Sequence, residues 1–193
     1  LAHLAGALMG EGRVRIEGVT YEAAEGLAKV GGEPAVLGPK EAVALLNGVQ
    51  ASTAIALRGL FGAEAVFNAG LAAGALTLEA TAGRQVVLDD RIQQIRGHAG
   101  QIRVAGLLRR LVADSEVLDV EFEGRRLQDP YCLRCQPQVM GAALDLLAFA
   151  ARTIEQEVNA VSDNPLMFPD DGVVLSGGNF HGQPIAYAAD IIA

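Results

Sequence analysis

Aromatic residues are scarce in this chain, and tryptophan is absent. Aromatics make up 5% of the 193 residues, although 51% are hydrophobic. A β-sandwich would need more aromatic and β-branched residues, whereas an alanine-rich composition suits helices that pack closely. The composition therefore predicts a mainly α-helical fold, and the length suits one sizeable domain.

Positive charge is also in short supply. Fifteen Lys and Arg residues against 23 Asp and Glu residues give a formal net charge of −8. Because there is no basic run, nucleic acid and anionic membranes are unfavoured as partners. Single arginines can still form a local site for an anion.

Long apolar runs, a secretory signal and a disulfide framework are missing too. Two long uncharged runs, 42–57 and 65–78, contain polar residues and are shorter than the roughly 18 apolar residues of a membrane span. The start lacks the regions of a signal peptide, and two cysteines do not make a disulfide framework. We therefore predict a cytoplasmic protein without a membrane partner.

Both ends of the chain resemble helices without boundary signals. The chain opens LAHLAGALMGEG without Met and closes GQPIAYAADIIA without a Gly or Asn stop. We therefore expect residues 1–193 to be the central part of a single domain that is truncated at both ends.

Local patterns predict the first elements after a short initial helix. Residues 13–16 alternate in polarity before a Glu17-Gly18 turn, which predicts a small hairpin, with helix from Tyr21 onward. A loop then leads to a helix with Pro39 in its first turn, and Asn47-Gly48 interrupts the helical rhythm that follows.

Later segments predict further helices. One covers about 99–113, and the clearest runs from near Gln138 to about Asn159, where apolar residues recur every three or four positions. The acidic stretch 114–124 is predicted as loop or strand. A turn at 169–172, a short strand VVL and a glycine-rich loop precede the last helix.

The two cysteines lie in QDPYCLRCQP as C-x-x-C, at Cys132 and Cys135. A structural zinc needs four ligands, yet the histidines are scattered along the chain. A redox pair begins a helix in a βαβ setting, which nothing nearby suggests. The spacing favours two small, half-buried apolar side chains over a metal or redox site.

A dense polar set surrounds these cysteines. An arginine fork can bind a carboxylate through two hydrogen bonds, and a tyrosine hydroxyl near a cation can transfer a proton. A surface loop whose arginine pairs with an acidic neighbour fits the same residues, so spacing alone leaves both readings open. The set comprises Gln128, Tyr131, Arg134 and Gln136.

For two other sites the sequence likewise leaves open whether the role is structural or functional. In LSGGNFHGQP, adjacent glycines permit close backbone approach to a ligand, but they are also ordinary in turns. His181 by itself is more often a hydrogen-bonded structural residue than a catalyst. Asn47, between apolar stretches, is either a cap at a helix break or a pocket residue.

Four blocks together resemble a known family. The stretches EAVALLNGVQAST, LQDPYCLRCQPQVMGA, EVNAVSDNPLMF and LSGGNFHGQP are similar, in order, to signature blocks of the histidine ammonia-lyases, which belong to the aromatic amino acid lyases and aminomutases. RCQPQVMGA resembles the histidine enzymes more than the phenylalanine or tyrosine ones. The resemblance covers all 193 residues.

The resemblance implies a long-helix bundle, a homotetramer, and conversion of L-histidine to urocanate and ammonia in histidine degradation. It also implies a methylidene-imidazolone electrophile that forms from an internal Ala-Ser-Gly, with no metal required. This sequence contains no Ala-Ser-Gly. We therefore expect the chain to be the central part of a lyase domain and to be inactive alone.

The resemblance also implies roles for residues that match the family blocks. Asp163 and Asn164 are expected to shape a loop rather than react. Tyr131 and Asn47 match catalytic residues, Arg134 matches the arginine that holds the substrate carboxylate, Gln128 and Phe180 match further substrate-binding residues, and Gln136, Asn179 and His181 have supporting roles.

Three alternatives stay open at this stage. Within the family, the chain could belong to a phenylalanine or tyrosine ammonia-lyase or aminomutase. In another class, it could be a non-catalytic helical scaffold subunit, although a scaffold has no need of Tyr131, Arg134 and Asn47 together. A thiol or zinc module is the third.

Overall fold

The computed structural model describes residues 1–118, 120, 124 and 127–193, and it is mainly α-helical, as predicted. Two compact units divide the chain: unit 1 comprises Leu1–Ile55 and Gln156–Ile185, and unit 2 comprises Ala56–Glu155 and Ala186–Ala193. The helices are α1 (Ala2–Leu8), α2 (Ala23–Lys29), α3 (Glu41–Asn47), α4 (Gln50–Ala80), a 3-10 helix (Gln85–Leu88), α5 (Asp90–Arg96), α6 (Ala99–Leu111), α7 (Tyr131–Arg134), α8 (Gln136–Val158) and α9 (Gln183–Ile192). The strands are β1 (Arg13–Ile16), β2 (Val19–Glu22), β3 (Leu166–Phe168) and β4 (Val173–Leu175).

The hairpin predicted near the start of unit 1 is present. β1 pairs with β2 in antiparallel register, with Ile16 opposite Val19. Glu17 (φ 49°) and Gly18 (φ 85°) both have positive φ, the combination that a two-residue hairpin turn needs. Helix α2 begins at Ala23 rather than Tyr21, because Tyr21 still pairs with Val14 in the ladder.

The break between α3 and α4 is confirmed, but the start of α3 differs from the prediction. Lys40, with φ 71°, caps the helix that begins at Glu41, so Pro39 precedes the first turn instead of occupying it. At the break, a Cβ on Gly48 would stand 2.8 Å from the carbonyl oxygen of Ser162. Only glycine therefore allows the chain at 162 to come so close.

A second antiparallel hairpin pairs β3 with β4, and only β4 was predicted. The turn between them contains Gly172 at φ 65°, in agreement with the turn predicted at 169–172. The three-residue β3 follows a proline and is too short to show a period-2 pattern, which explains why the sequence did not reveal it.

The core of unit 2 forms where α4, the 3-10 helix and α6 meet. Apolar side chains from these elements and from the segment that follows α6 are almost fully buried, and half-buried residues, including some of α8, pack against them. The buried cluster consists of Leu71, Ala75, Leu78, Leu88, Val104, Leu108, Val112 and Leu118. Met140 and Leu144, near the start of α8, pack against this cluster.

Helices α6 and α8 approach each other most closely at two glycines. A Cβ on Gly141 would lie 2.8 Å from the carbonyl carbon of Gly100 and closer still to the backbone of Gln101. The backbone N–H of Gly100 donates a hydrogen bond to Asp145 Oδ1 at 2.8 Å. Glycine at both positions therefore allows the two backbones to contact each other. Helix α8 itself starts and ends within two residues of its predicted bounds.

Helix α5 was not predicted, although its boundaries carry recognisable caps. Asp89 accepts a hydrogen bond from the backbone N–H of Arg91, and Gly97 (φ 79°) ends the helix. The side-chain and backbone hydrogen bonds from Arg91 lower the pKa of Asp89 to about 2. The acidic stretch 114–124, predicted as loop or strand, falls partly outside the described residues; residues 116–118 form a turn.

Among the described residues, one helix is long and apolar enough to cross a membrane. This helix is α4, whose most apolar window has a mean hydropathy of 1.3. The uncharged runs in α4 are short, as noted from the sequence, but its apolar stretch continues across a few charged residues. Length and composition are the only support for a span, and core helices of water-soluble bundles share them.

Candidate functional site

Helix α7 places Tyr131 and Arg134 side by side in unit 2. Asp129, just before the helix, accepts a hydrogen bond from the backbone N–H of Arg84 at 2.5 Å. Leu133 lies between the two polar residues in the sequence and is buried, so its side of α7 faces the interior of unit 2. The Arg134 guanidinium lies over the Tyr131 ring, 5.8 Å from its centroid. A cation and a phenol are thus held together on one helical turn.

Two buried polar atoms in this region have no hydrogen-bond partner among the described residues. They are Nε of Arg134 and Oε1 of Gln138. A buried donor or acceptor without a partner costs about 1–3 kcal/mol, so native proteins seldom retain one. These two atoms therefore call for a polar partner, which can be a water, a ligand group or another stretch of polypeptide.

The other two polar residues of the QDPYCLRCQP region differ in burial. Gln136 is half-buried, and its Nε2 donates to the backbone oxygen of Gly74 at 3.3 Å. This bond ties the start of α8 to α4 and supports the position of α7. Gln128 is exposed and lies outside any helix.

Asn47 ends α3 in unit 1 and is half-buried. Its Nδ2 donates to the backbone oxygen of Asn164 at 3.4 Å, which is a long bond. Nearby, the backbone N–H of Val49 lies 3.4 Å from Ser162 Oγ. The helix break predicted from Asn47-Gly48 is therefore held by the segment 162–164.

An ion pair anchors the same segment to the start of α3. Lys40 Nζ donates to Asp163 Oδ2, and the backbone N–H of Asn164 donates to Asp163 Oδ1 at 2.7 Å. The hydrogen bond from Lys40 lowers the pKa of the Asp163 carboxyl, and the Asn164 N–H adds to the effect. This carboxyl therefore stays ionised to lower pH than an ordinary aspartate.

The glycine-rich loop of unit 1 carries Asn179, Phe180 and His181, all of them exposed. Asn179 Nδ2 lies 3.5 Å from the backbone oxygen of Val161, and His181 Nδ1 accepts from the backbone N–H of Gln183 at 3.2 Å. His181 thus accepts a hydrogen bond at the start of α9, and its supporting role stays a prediction. Phe180 is 40% exposed, which leaves its ring available for contact.

The two cysteines are free thiols at opposite ends of one helical turn. Cys132 is exposed and Cys135 is half-buried. Within the described ranges, no three His, Cys, Asp or Glu side chains are grouped as a metal site would require. Cys132 lies in α7 and Cys135 directly after it, so both thiols are neighbours of Tyr131 and Arg134.

Comparison with known families decides what this set of residues belongs to. The profile described as "Aromatic amino acid lyase" matches residues 1–193, the whole chain. The chain belongs to the aromatic amino acid lyase family. The resemblance seen in the four sequence blocks is thereby confirmed.

Individual members of the aromatic amino acid lyase family give a finer comparison. The chain is 56% identical to histidine ammonia-lyase of Paracidovorax citrulli (strain AAC00-1) over 193 residues, which are 38% of that protein. It resembles histidine ammonia-lyase from Trypanosoma cruzi with a TM-score of 0.85 and 34% identity, covering 99% of this chain and 36% of that one. Its TM-score against phenylalanine ammonia-lyase from Rhodosporidium toruloides is 0.87 at 31% identity, covering 100% of this chain and 30% of that one. The chain therefore spans well under half the length of these relatives.

Sequence reasoning missed three residues that this lyase chain places around the predicted site residues. Asp129 anchors the segment before α7, Lys40 pairs with Asp163, and Gln138 has a buried acceptor without a partner among the described residues. Asp129 and Gln138 lie in the block that carries the family resemblance, so the resemblance could have identified them as candidate site residues. No local pattern marks Lys40, whose partner is 123 residues away.

Proposed function

We propose that this chain is part of a histidine ammonia-lyase, which eliminates ammonia from L-histidine to give urocanate. The observation that carries the proposal is Arg134, whose buried Nε has no partner among the described residues and whose guanidinium lies over the Tyr131 ring. A planar guanidinium with an unused donor suits the α-carboxylate of an amino acid. The 56% identity to a histidine ammonia-lyase favours histidine among the substrates of the family.

The elimination breaks the bond from Cα to the amino nitrogen and a C–H bond at Cβ, and it forms a C=C bond. In this proposal Arg134 binds the carboxylate and orients the substrate, which lowers the entropic part of the barrier. The Tyr131 hydroxyl transfers a proton as a general acid–base group. At 73% exposed, Tyr131 has room to meet a substrate.

The methylidene-imidazolone of the family supplies an electrophile that takes up electron density from the substrate. The Asn47 amide fits contact with such a group, because it makes only a long hydrogen bond. By the family resemblance, Asn47 would contact the group, and Gln128 and Phe180 keep their expected roles in substrate binding. The precursor Ala-Ser-Gly is not within residues 1–193.

The proposal extends to the complete gene product that contains this chain. We propose that it is a cytoplasmic homotetramer and that residues 1–193 alone are inactive, because they lack the precursor of the electrophile. A phenylalanine or tyrosine enzyme is the second candidate, since the fold matches phenylalanine ammonia-lyase as well as it matches histidine ammonia-lyase.

The test compares the complete gene product with the 193-residue chain on L-histidine, L-phenylalanine and L-tyrosine. We expect urocanate from histidine with the complete product only. Tyr131→Phe should lower kcat on the order of 10²–10⁴-fold with little change in KM, because general acid–base catalysis contributes about that much. Turnover of phenylalanine or tyrosine in preference to histidine would overturn the substrate assignment, and activity in the 193-residue chain would overturn the role of the electrophile.

A further inference from the structure

Gln138 follows Tyr131 and Arg134 along one helical path in unit 2. Tyr131 and Arg134 are the ends of α7, and Gln138 lies in the first turn of α8. The backbone N–H of Cys135 donates to the Tyr131 oxygen at 3.0 Å, and that of Val139 donates to the Cys135 oxygen at 2.9 Å. Helical hydrogen bonding therefore continues through the junction of α7 and α8. Residues three and four positions apart on such a path are neighbours, so Arg134 is a neighbour of both Tyr131 and Gln138.

Buried residues hold this junction against the rest of unit 2. Leu133 and Pro137 are both buried, and each directly precedes one of the two residues that have an unpaired buried atom. Gln136 Nε2 donates to the backbone oxygen of Gly74 at 3.3 Å, and its side chain leaves no room for a Cβ on Gly74. The junction therefore cannot turn freely about its axis, which fixes the face that carries the tyrosine, the arginine and the glutamine.

The two unpaired atoms on this face are chemically complementary. Arg134 Nε and Gln138 Oε1 are buried and have no partner in the part of the chain that the structure describes. An arginine Nε only donates and an amide oxygen only accepts, so one hydrogen bond between them satisfies both groups. Both side chains have several rotatable bonds, and a change of rotamer brings residues one helical turn apart into contact. Pairing removes two costs of burial at once.

This pairing decides how Arg134 can bind a carboxylate. A guanidinium forms two parallel hydrogen bonds to a carboxylate either through Nε and one terminal nitrogen or through both terminal nitrogens. The first arrangement would occupy Nε and leave Gln138 Oε1 buried without a donor. The second leaves Nε free for Gln138, so that every buried group is paired. The second arrangement is therefore the one that the buried atoms favour.

We propose that Gln138 is a positioning residue, which accepts a hydrogen bond from Arg134 Nε and turns the two terminal nitrogens of Arg134 toward the substrate carboxylate. The inference rests on the proposed function for the identity of that carboxylate, but the pair itself lies wholly within unit 2. Because the amide is neutral, it orients the guanidinium without neutralising its charge. A carboxylate in the same place would compete with the substrate for that charge. Gln138 therefore acts on substrate binding more than on proton transfer by Tyr131.

Steady-state kinetics of three variants of the complete gene product test this role. Gln138→Met removes the acceptor but keeps an unbranched side chain, and Gln138→Glu keeps an acceptor but adds a negative charge. Gln156→Met, at an exposed position of α8, is the matched control. With L-histidine we expect Gln138→Met to raise KM roughly 5–20-fold with kcat within about threefold, because a hydrogen bond to a charged group is lost. Gln138→Glu should raise KM at least as much, and the control should match wild type. A fall in kcat at unchanged KM would overturn the positioning role.

Arg134→Lys provides the background that separates this role from a general effect on the fold. Lysine keeps the positive charge but has no Nε–H. If Gln138 acts through Nε, adding Gln138→Met to Arg134→Lys should change KM by less than about twofold, because the interaction that it removes is already gone. Equal effects of Gln138→Met in both backgrounds would overturn the proposal, since Gln138 Oε1 would then meet a water or another group instead of Arg134.

Urea unfolding gives a readout that does not depend on activity. Gln138→Met should lower the urea midpoint more than Gln156→Met does, and this extra decrease should disappear in the Arg134→Lys background. If wild type acts on no amino acid but unfolding follows this pattern, the proposed function fails while the pair stands. If wild type turns over histidine but neither KM nor the midpoint responds to Gln138→Met, the pair fails while the proposed function stands. A midpoint that responds without any change in KM would overturn the positioning role and leave only a structural bond.

Discussion

Alanine in place of Gly141 tests the backbone contact between α6 and α8. The new Cβ would stand 2.8 Å from the Gly100 carbonyl carbon and nearer still to the backbone of Gln101. Carbon atoms make their best contact at about 3.5–4.0 Å, so the two helices would have to separate by roughly 1 Å. The bond from the Gly100 N–H to Asp145 Oδ1 would lengthen with them.

The expected loss of stability follows from three opposing contributions. Overpacking of this kind costs about 1–3 kcal/mol, and a weakened hydrogen bond adds about 0.5–1.5 kcal/mol. Replacing glycine by alanine inside a helix returns about 1 kcal/mol. The net result is a decrease of roughly 2 kcal/mol in the free energy of unfolding, which corresponds to a fall of less than about 1 M in the urea midpoint, because the denaturant slope m grows with protein size.

The assay is urea unfolding of the complete gene product, followed by circular dichroism. Gly106→Ala on α6 is the matched control, because the nearest heavy atom to its Cβ is the flexible end of Arg109 at 3.7 Å. We expect the control to be neutral or slightly stabilising. Gly100→Ala should resemble Gly141→Ala, and the double variant should cost less than the sum of the two because both changes disrupt the same contact. Equal midpoints for Gly141→Ala and Gly106→Ala would refute the close approach of α6 and α8.

Three further predictions concern individual side chains. Arg134→Lys should raise KM for the amino acid roughly 10–100-fold, because a point charge loses the planar fork; an unchanged KM in steady-state kinetics would contradict the carboxylate role. The lowered pKa of Asp163 means that its pair with Lys40 stabilises the fold above the unfolded pKa of about 3.9 and loses this effect as the pH falls through the folded value. Lys40→Met should therefore flatten the acid limb of a plot of urea midpoint against pH, and an identical limb would show that the pair contributes nothing. Cys132→Ser should leave kcat within about twofold, and bound zinc in elemental analysis of the wild type would contradict this reading of the thiols.

Local chemistry explains why parts of the fold were predictable. The turn at Glu17-Gly18 and the break at Asn47-Gly48 each depend on the conformations of adjacent residues, and both are where the sequence placed them. The long apolar periodicity of α8 likewise fixed its ends within two residues. The four-residue α7 is too short to show a helical period, and β3 too short to show alternation, so neither was recognised.

The sequence by itself determined the family and which residue types carry the chemistry. Tyr131, Arg134 and Asn47 were singled out because their blocks resemble those of aromatic amino acid lyases, and the family is confirmed over residues 1–193. Their individual roles stay predictions. Composition, with few aromatics and much alanine, was enough to predict a mainly helical chain.

Only the tertiary structure decided what holds those residues. Lys40 meets Asp163, and Asn47 meets Asn164, across separations of 123 and 117 residues. The Gly100–Gly141 contact likewise joins two helices that are far apart in the sequence. A local pattern records only the neighbours along the chain, whereas these contacts depend on how the whole chain folds back on itself. The physical reason is that hydrogen bonds and close packing form between whichever groups the fold brings together, and sequence distance places no limit on that choice.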